Sequence, residues 1–103
     1  MQPNTKEQLE EAFTAEWEEQ APMMGPPTYW CARRNWDDAH LELSINFSPF
    51  KDRTDASFEI NGSAFQFTGE TRVDGYGPLE ALHQLLDQFE RHCASRLEPR
   101  ADD

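Results

Sequence analysis

Basic residues are scarce in this chain: 9 Lys and Arg stand against 20 Asp and Glu, a formal net charge of -11 on 103 residues. Proteins that bind nucleic acid directly attract phosphates with lysine and arginine, so the shortage argues against that class. Cysteine is scarcer still. Cys31 and Cys93 lie far apart without ligand-like spacing, and nothing in their order predicts a disulfide. The expectation is two reduced core thiols in a cytoplasmic protein, because the polar start Met1-Gln2-Pro3-Asn4 does not read as a leader. Long apolar runs are also missing. None approaches the roughly 18 residues that a membrane-spanning helix needs, so no membrane span is expected.

Catalytic motifs are absent too. There is no phosphate-binding glycine loop, no nucleophile elbow and no histidine pair with zinc-site spacing. Gly75-Tyr76-Gly77 precedes a helix, but two glycines there read as a tight turn. His40, His83 and His92 are isolated, and the last two are too far apart on one helix to share an ion. Asp37, Asp38 and Asp55 lie near turns without the ligand spacing of a calcium loop. The sequence therefore predicts a non-enzymatic protein with no catalytic residues, no metal and no cofactor.

What the chain does have is aromatic mass: 7 Phe, 3 Trp and 2 Tyr, within a hydrophobic fraction of 37%. A disordered acidic chain is usually poor in such residues, so a fold is expected. Its length suits one domain spanning residues 1–103 with one modest core.

Periodicity supplies the elements. Thr5 with Gln8 forms a capping-box pattern, and Leu9, Phe13 and Trp17 recur every fourth residue. These predict a helix over about residues 5–20 with a narrow apolar seam and an acidic outer face. Glu18 and Glu19 would sit near its carboxyl end, where negative charge opposes the helix dipole. The stretch from Ala21 to Pro27 holds three prolines and a glycine, an apolar linker placed to lie across the core.

From Thr28 the period becomes two. Residues 28–34 predict a strand, followed by a turn over Asn35–Asp38. Leu41, Leu43, Ile45 and Phe47 alternate with polar residues and predict a strand with one wet face. Asn61-Gly62 suits a two-residue type I′ hairpin turn, which would set Ile60 opposite Ser63, Phe58 opposite Phe65 and Ala56 opposite Phe67. The other face of that hairpin carries Ser57, Glu59, Gln66, Thr68, Glu70 and Arg72, which reads as a mixed polar surface and not as an acid cluster. Pro78 and Glu80 open a second helix whose stripe of Leu79, Leu82, Leu86, Phe89, Cys93 and Leu97 runs to about residue 97, before Pro99.

The predicted fold class is α+β: a two-layer sandwich of an N-terminal helix, a three- or four-stranded antiparallel meander, and a C-terminal helix packed on one sheet face. The same element order occurs in small double-stranded-RNA-binding domains, but their phosphate contacts need basic groups, and the final helix here begins Pro78-Leu79-Glu80.

Function is expected to lie in binding. An acidic surface suits a partner protein with a basic surface, including a nucleic-acid-handling complex. One concrete form is a phage-type, anti-CRISPR-like inhibitor that occupies the nucleic-acid path of a host defence or nuclease complex, without itself touching nucleic acid or membrane. The candidate partner-binding residues are Glu10, Glu11, Glu18, Glu19, Trp36, Asp37 and Asp38. Trp36 stands out as an aromatic residue in a predicted polar turn, placed either to anchor an interface or to fold back over the core. One alternative is a homodimeric structural or assembly protein, with strand 28–34 as an edge that pairs with a second copy. A second is a small-ligand-binding protein with a concave sheet.

Overall fold

Alternating apolar and polar side chains organise the centre of the chain into antiparallel strands. The computed structural model describes residues 5–21, 23, 25, 27–63 and 65–92. Its elements are α1 (Thr5–Ala12), β1 (Glu16–Gln20), β2 (Tyr29–Trp36), β3 (Ala39–Ser48), β4 (Arg53–Gly62), β5 (Gln66–Asp74) and α2 (Pro78–His92). The strands form one sheet in the order β1-β2-β3-β4-β5, every neighbour antiparallel. The α+β meander between two helices is as expected, but with five strands instead of three or four.

One face of this sheet is greasy and covered. Trp30, Leu41, Ile45 and Ile60 from the strands are fully buried with Leu82 and Leu85 of α2, and Leu9 of α1 joins them. α2 packs on β3, β4 and β5, and α1 packs on α2 and β1. Leu86 and Phe89 lie against this core at its margin. The described part of α2 ends at His92, so the predicted extension through Cys93 to Leu97 lies outside the described residues.

The fifth strand comes from the predicted first helix. Residues 5–20 do not form one helix: the last helical hydrogen bond runs from Phe13 N to Leu9 O, and the chain then extends. Trp17 still reaches the core, but from a strand, where it pairs with Ala32 of β2. Cross-strand contacts reward this choice. Arg33 Nη2 donates to Glu18 Oε1 at 2.9 Å and Trp30 Nε1 donates to Glu19 Oε2 at 2.8 Å. A helix would have left both carboxylates against its own negative end.

β1 also moves the predicted edge. Of residues 28–34, all but Thr28 lie in β2, which is interior, so that strand has no free edge for a second copy. Asn35 and Trp36 are strand residues paired with His40 and Ala39, and the turn narrows to Asp37-Asp38. In the connection before β2, Met23 is fully exposed and does not cover the core.

The β4–β5 hairpin keeps its predicted face and changes its register. Asn61 and Gly62 pair with His40 and Ala39 on β3 as ordinary strand residues. Neither has the positive φ that a type I′ turn requires. Gly62 N donates to Phe65 O at 2.8 Å, so the chain reverses beyond Gly62, and Ile60 pairs with Phe67 and Phe58 with Gly69. Moving the turn by two residues preserves the period-two alternation, so Phe58, Phe65 and Phe67 remain on the covered side.

The junction of β5 with α2 is pinned by Thr54. Its buried hydroxyl donates to Gly75 O at 2.7 Å and accepts from Gly77 N at 2.9 Å. Gly75 has φ of 77°, a conformation that favours glycine, and its N–H donates to Asp52 O at 2.7 Å.

Candidate functional site: the open face of the sheet

Both helices occupy the same side of the sheet, so the opposite side faces solvent across all five strands. Strand alternation decides what stands there. Cross-strand register arranges the side chains in rows. Glu18, Cys31, Ser44, Ser57 and Glu70 form the middle row. On one side of it run Glu16, Arg33, Glu42, Glu59 and Thr68. On the other run Gln20, Tyr29, Asn46, Asp55 and Arg72.

The small side chains of Cys31, Ser44 and Ser57 leave the centre low while longer residues rise around it. The result is an open trough of about 880 Å³ whose lining includes Tyr29, Arg33, Glu42, Glu59 and Glu70. A shallower depression follows beside Asn46, Arg53, Asp55 and Arg72. The core packs between sheet and helices, and the trough on the open face is lined largely by polar residues. That geometry suits contact with another molecule's surface better than enclosure of an apolar ligand.

Carboxylates dominate this face. Glu16, Glu18, Glu42, Asp55, Glu59, Glu70 and Asp74 stand there against Arg33, Arg53 and Arg72. All three arginines are engaged within the chain. Arg33 bridges Glu18, while Arg53 and Arg72 share Asp55 at 3.1 and 3.3 Å. Beyond the face, Arg91 pairs with Asp87, and Arg34 lies over the rings of Phe13 and Trp36 at 5.4 and 4.9 Å. Each of the five described arginines is therefore committed to a contact inside the protein.

The candidate residues do not gather at one place. Glu10 and Glu11 are exposed on α1 in the helical layer. Glu18 belongs to the open sheet face, whereas Glu19, one residue on, points to the covered side and holds the Trp30 indole. Asp37 and Asp38 are exposed at the β2–β3 turn, where Asp38 accepts from Ser63 N at 3.0 Å and from Ser63 Oγ at 3.2 Å. Trp36 is half-buried, stacked on Phe89 with centroids 5.8 Å apart. It folds back over the core edge.

The candidates legible in the sequence did not include Glu16, Glu42, Glu59 or Glu70. The signal for Glu42, Glu59 and Glu70 was their position on the polar phase of β3, β4 and β5. No such signal marked Glu16, inside a segment read as helix.

Thiol chemistry is disfavoured at the trough. Burial raises the pKa of Cys31, and the hydrogen bond from its Sγ to Glu18 Oε2 at 3.6 Å, with the charge of that carboxylate, raises it further. The protonated thiol is a poor nucleophile. Among the described residues no group of three or more His, Cys, Asp or Glu side chains is placed to hold a metal ion. No described helix is long and apolar enough to cross a membrane.

Comparison with protein-family models, curated proteins and solved structures yields no match.

Proposed function

We propose that this protein is a non-enzymatic acidic binding module that docks on the basic surface of another protein. The observation that carries this reading is the disposition of charge. The described arginines are used up in internal contacts, while Glu10, Glu11, Glu16, Asp37, Glu59 and Glu70 are exposed without a basic partner among the described residues. Such a surface repels phosphate and attracts lysine and arginine. A protein whose own basic groove normally holds nucleic acid is the partner class that fits. Occupying that groove would make the module an inhibitor, as a phage-encoded antagonist of a host nuclease or defence complex would be.

Affinity capture from the native host or infected cell, in low and then high salt, tests the reading. The expected result is one nucleic-acid-handling protein that is released by salt and displaced by its own nucleic acid. Capture that is insensitive to salt, and unaffected by charge reversal at exposed carboxylates, would refute it.

The homodimer alternative retains one structural support. β5 is a nine-residue edge strand. Its exposed backbone is partly covered, because Gln88 Nε2 donates to Glu70 O at 3.0 Å.

A further inference from the structure

The β3–β4 register places Glu42 directly opposite Glu59 on the open sheet face. Like charges in that relation oppose strand pairing. The structure softens the repulsion without cancelling it. Asn61 Nδ2 donates to Glu59 Oε1 at 2.8 Å, and His40 Nε2 lies 3.3 Å from Glu42 Oε1. Arg33 stands across from Glu42 on β2, yet its guanidinium is bonded to Glu18. Among the described residues, no lysine or arginine lies within ion-pair distance of either carboxylate.

Both residues line the trough, and its small floor leaves room beside them for a side chain from outside. Resting on the function proposed above, we infer that this open sheet face, centred on Glu42 and Glu59, is the surface that receives the partner. The occupant is a basic segment of that protein, with a guanidinium or ammonium group set between the two carboxylates. Charge complementarity selects it. A cation there removes the repulsion between the strands and forms charge-assisted hydrogen bonds, which are stronger than neutral ones. The trough lies on the sheet, so this face supplies shape as well as charge.

The test compares two charge-matched double variants, E42Q/E59Q on the sheet and E10Q/E11Q on α1, with nona-arginine peptide as the probe. Affinity is measured at low salt by fluorescence anisotropy, and the footprint is mapped by amide chemical shifts. The expected result is a footprint on β2 to β5, with affinity lost about tenfold in E42Q/E59Q and less than about twofold in E10Q/E11Q. The free sheet variant should melt at the same temperature as the parent or higher, because the repulsion is gone.

Equal losses in both variants, a footprint on α1, or no peptide binding would overturn the inference. A lower melting temperature of E42Q/E59Q would do so as well, since the pair would then be structural. Salt-sensitive capture of the native partner that survives E42Q/E59Q would sink this face and leave the proposed function standing. If that capture is never salt-sensitive, the function itself fails.

Discussion

The indole of Trp30, fully buried, donates from Nε1 to Oε2 of Glu19 on the neighbouring strand at 2.8 Å. This bond ties the edge strand β1 to the core. It also gives Glu19 a structural task, whatever its exposure. Glu19→Ala would leave the indole N–H without its acceptor, and the expected loss is about 1–3 kcal/mol in urea unfolding. Glu19→Gln keeps an oxygen at the same reach and should recover most of that loss. A variant at Glu19 that loses partner binding must therefore be checked for folding first.

Glu19 also shows where the sequence was legible and where it was not. Leu9, Phe13 and Trp17 share a helical spacing, and all three are in the core, so the choice of buried residues was correct. The element was not. Only a contact distant in sequence, the pairing of 16–20 with Tyr29–Arg33, makes the strand preferable, and no local pattern reports that partner. β3 and α2 were readable because their alternation and stripe are long. The Asn61-Gly62 turn failed for the same reason as α1. β3 extends to Ala39 and takes both residues into its ladder, so pairing with a third strand overrides local turn chemistry. Of the site, only the polar phase of the central strands was visible; the rows that bring Glu42 beside Glu59 depend on register.

Thr54 supports the junction that launches α2. Thr54→Val keeps the shape but removes the donor to Gly75 O and the acceptor for Gly77 N. The expected cost is about 1–3 kcal/mol, read as a lowered melting temperature. Hydrogen exchange at the Gly77 amide should accelerate more than exchange in the middle of β3. Uniform acceleration would show that Thr54 supports the whole fold and not the junction.

Trp36 continues a stack that joins the two layers. Phe13, the Arg34 guanidinium, Trp36 and Phe89 follow one another, with the Trp36 and Phe89 rings inclined by 22°. Trp36→Ala should destabilise by about 2 kcal/mol, from lost stacking and the lost cation–π contact. Trp36→Phe should retain most of the stability. Partner binding then separates the two roles of this residue: normal binding by the Phe variant makes Trp36 a cap on the core, and loss of binding at preserved stability makes it an anchor.

Cys31 gives the pH dependence. Burial raises its pKa first, and the Glu18 carboxylate adds to the rise. The thiol is neutral when protonated, so between its ordinary pKa and the raised folded value the native state holds a proton that the unfolded chain has released. Stability therefore falls as pH rises through that window. Glu18→Gln removes part of the cause and should lower the thiol pKa, narrowing the window. In a Cys93→Ser background, where Cys31 is the only thiol, iodoacetamide at mildly alkaline pH should then react about threefold to tenfold faster. Arg33→Gln should act in the opposite sense, because the Arg33 charge lowers the pKa. An alkylation rate unchanged by Glu18→Gln would mean that burial and the Glu42 charge hold the proton, and that the contact between Sγ and the Glu18 carboxylate has no energetic consequence.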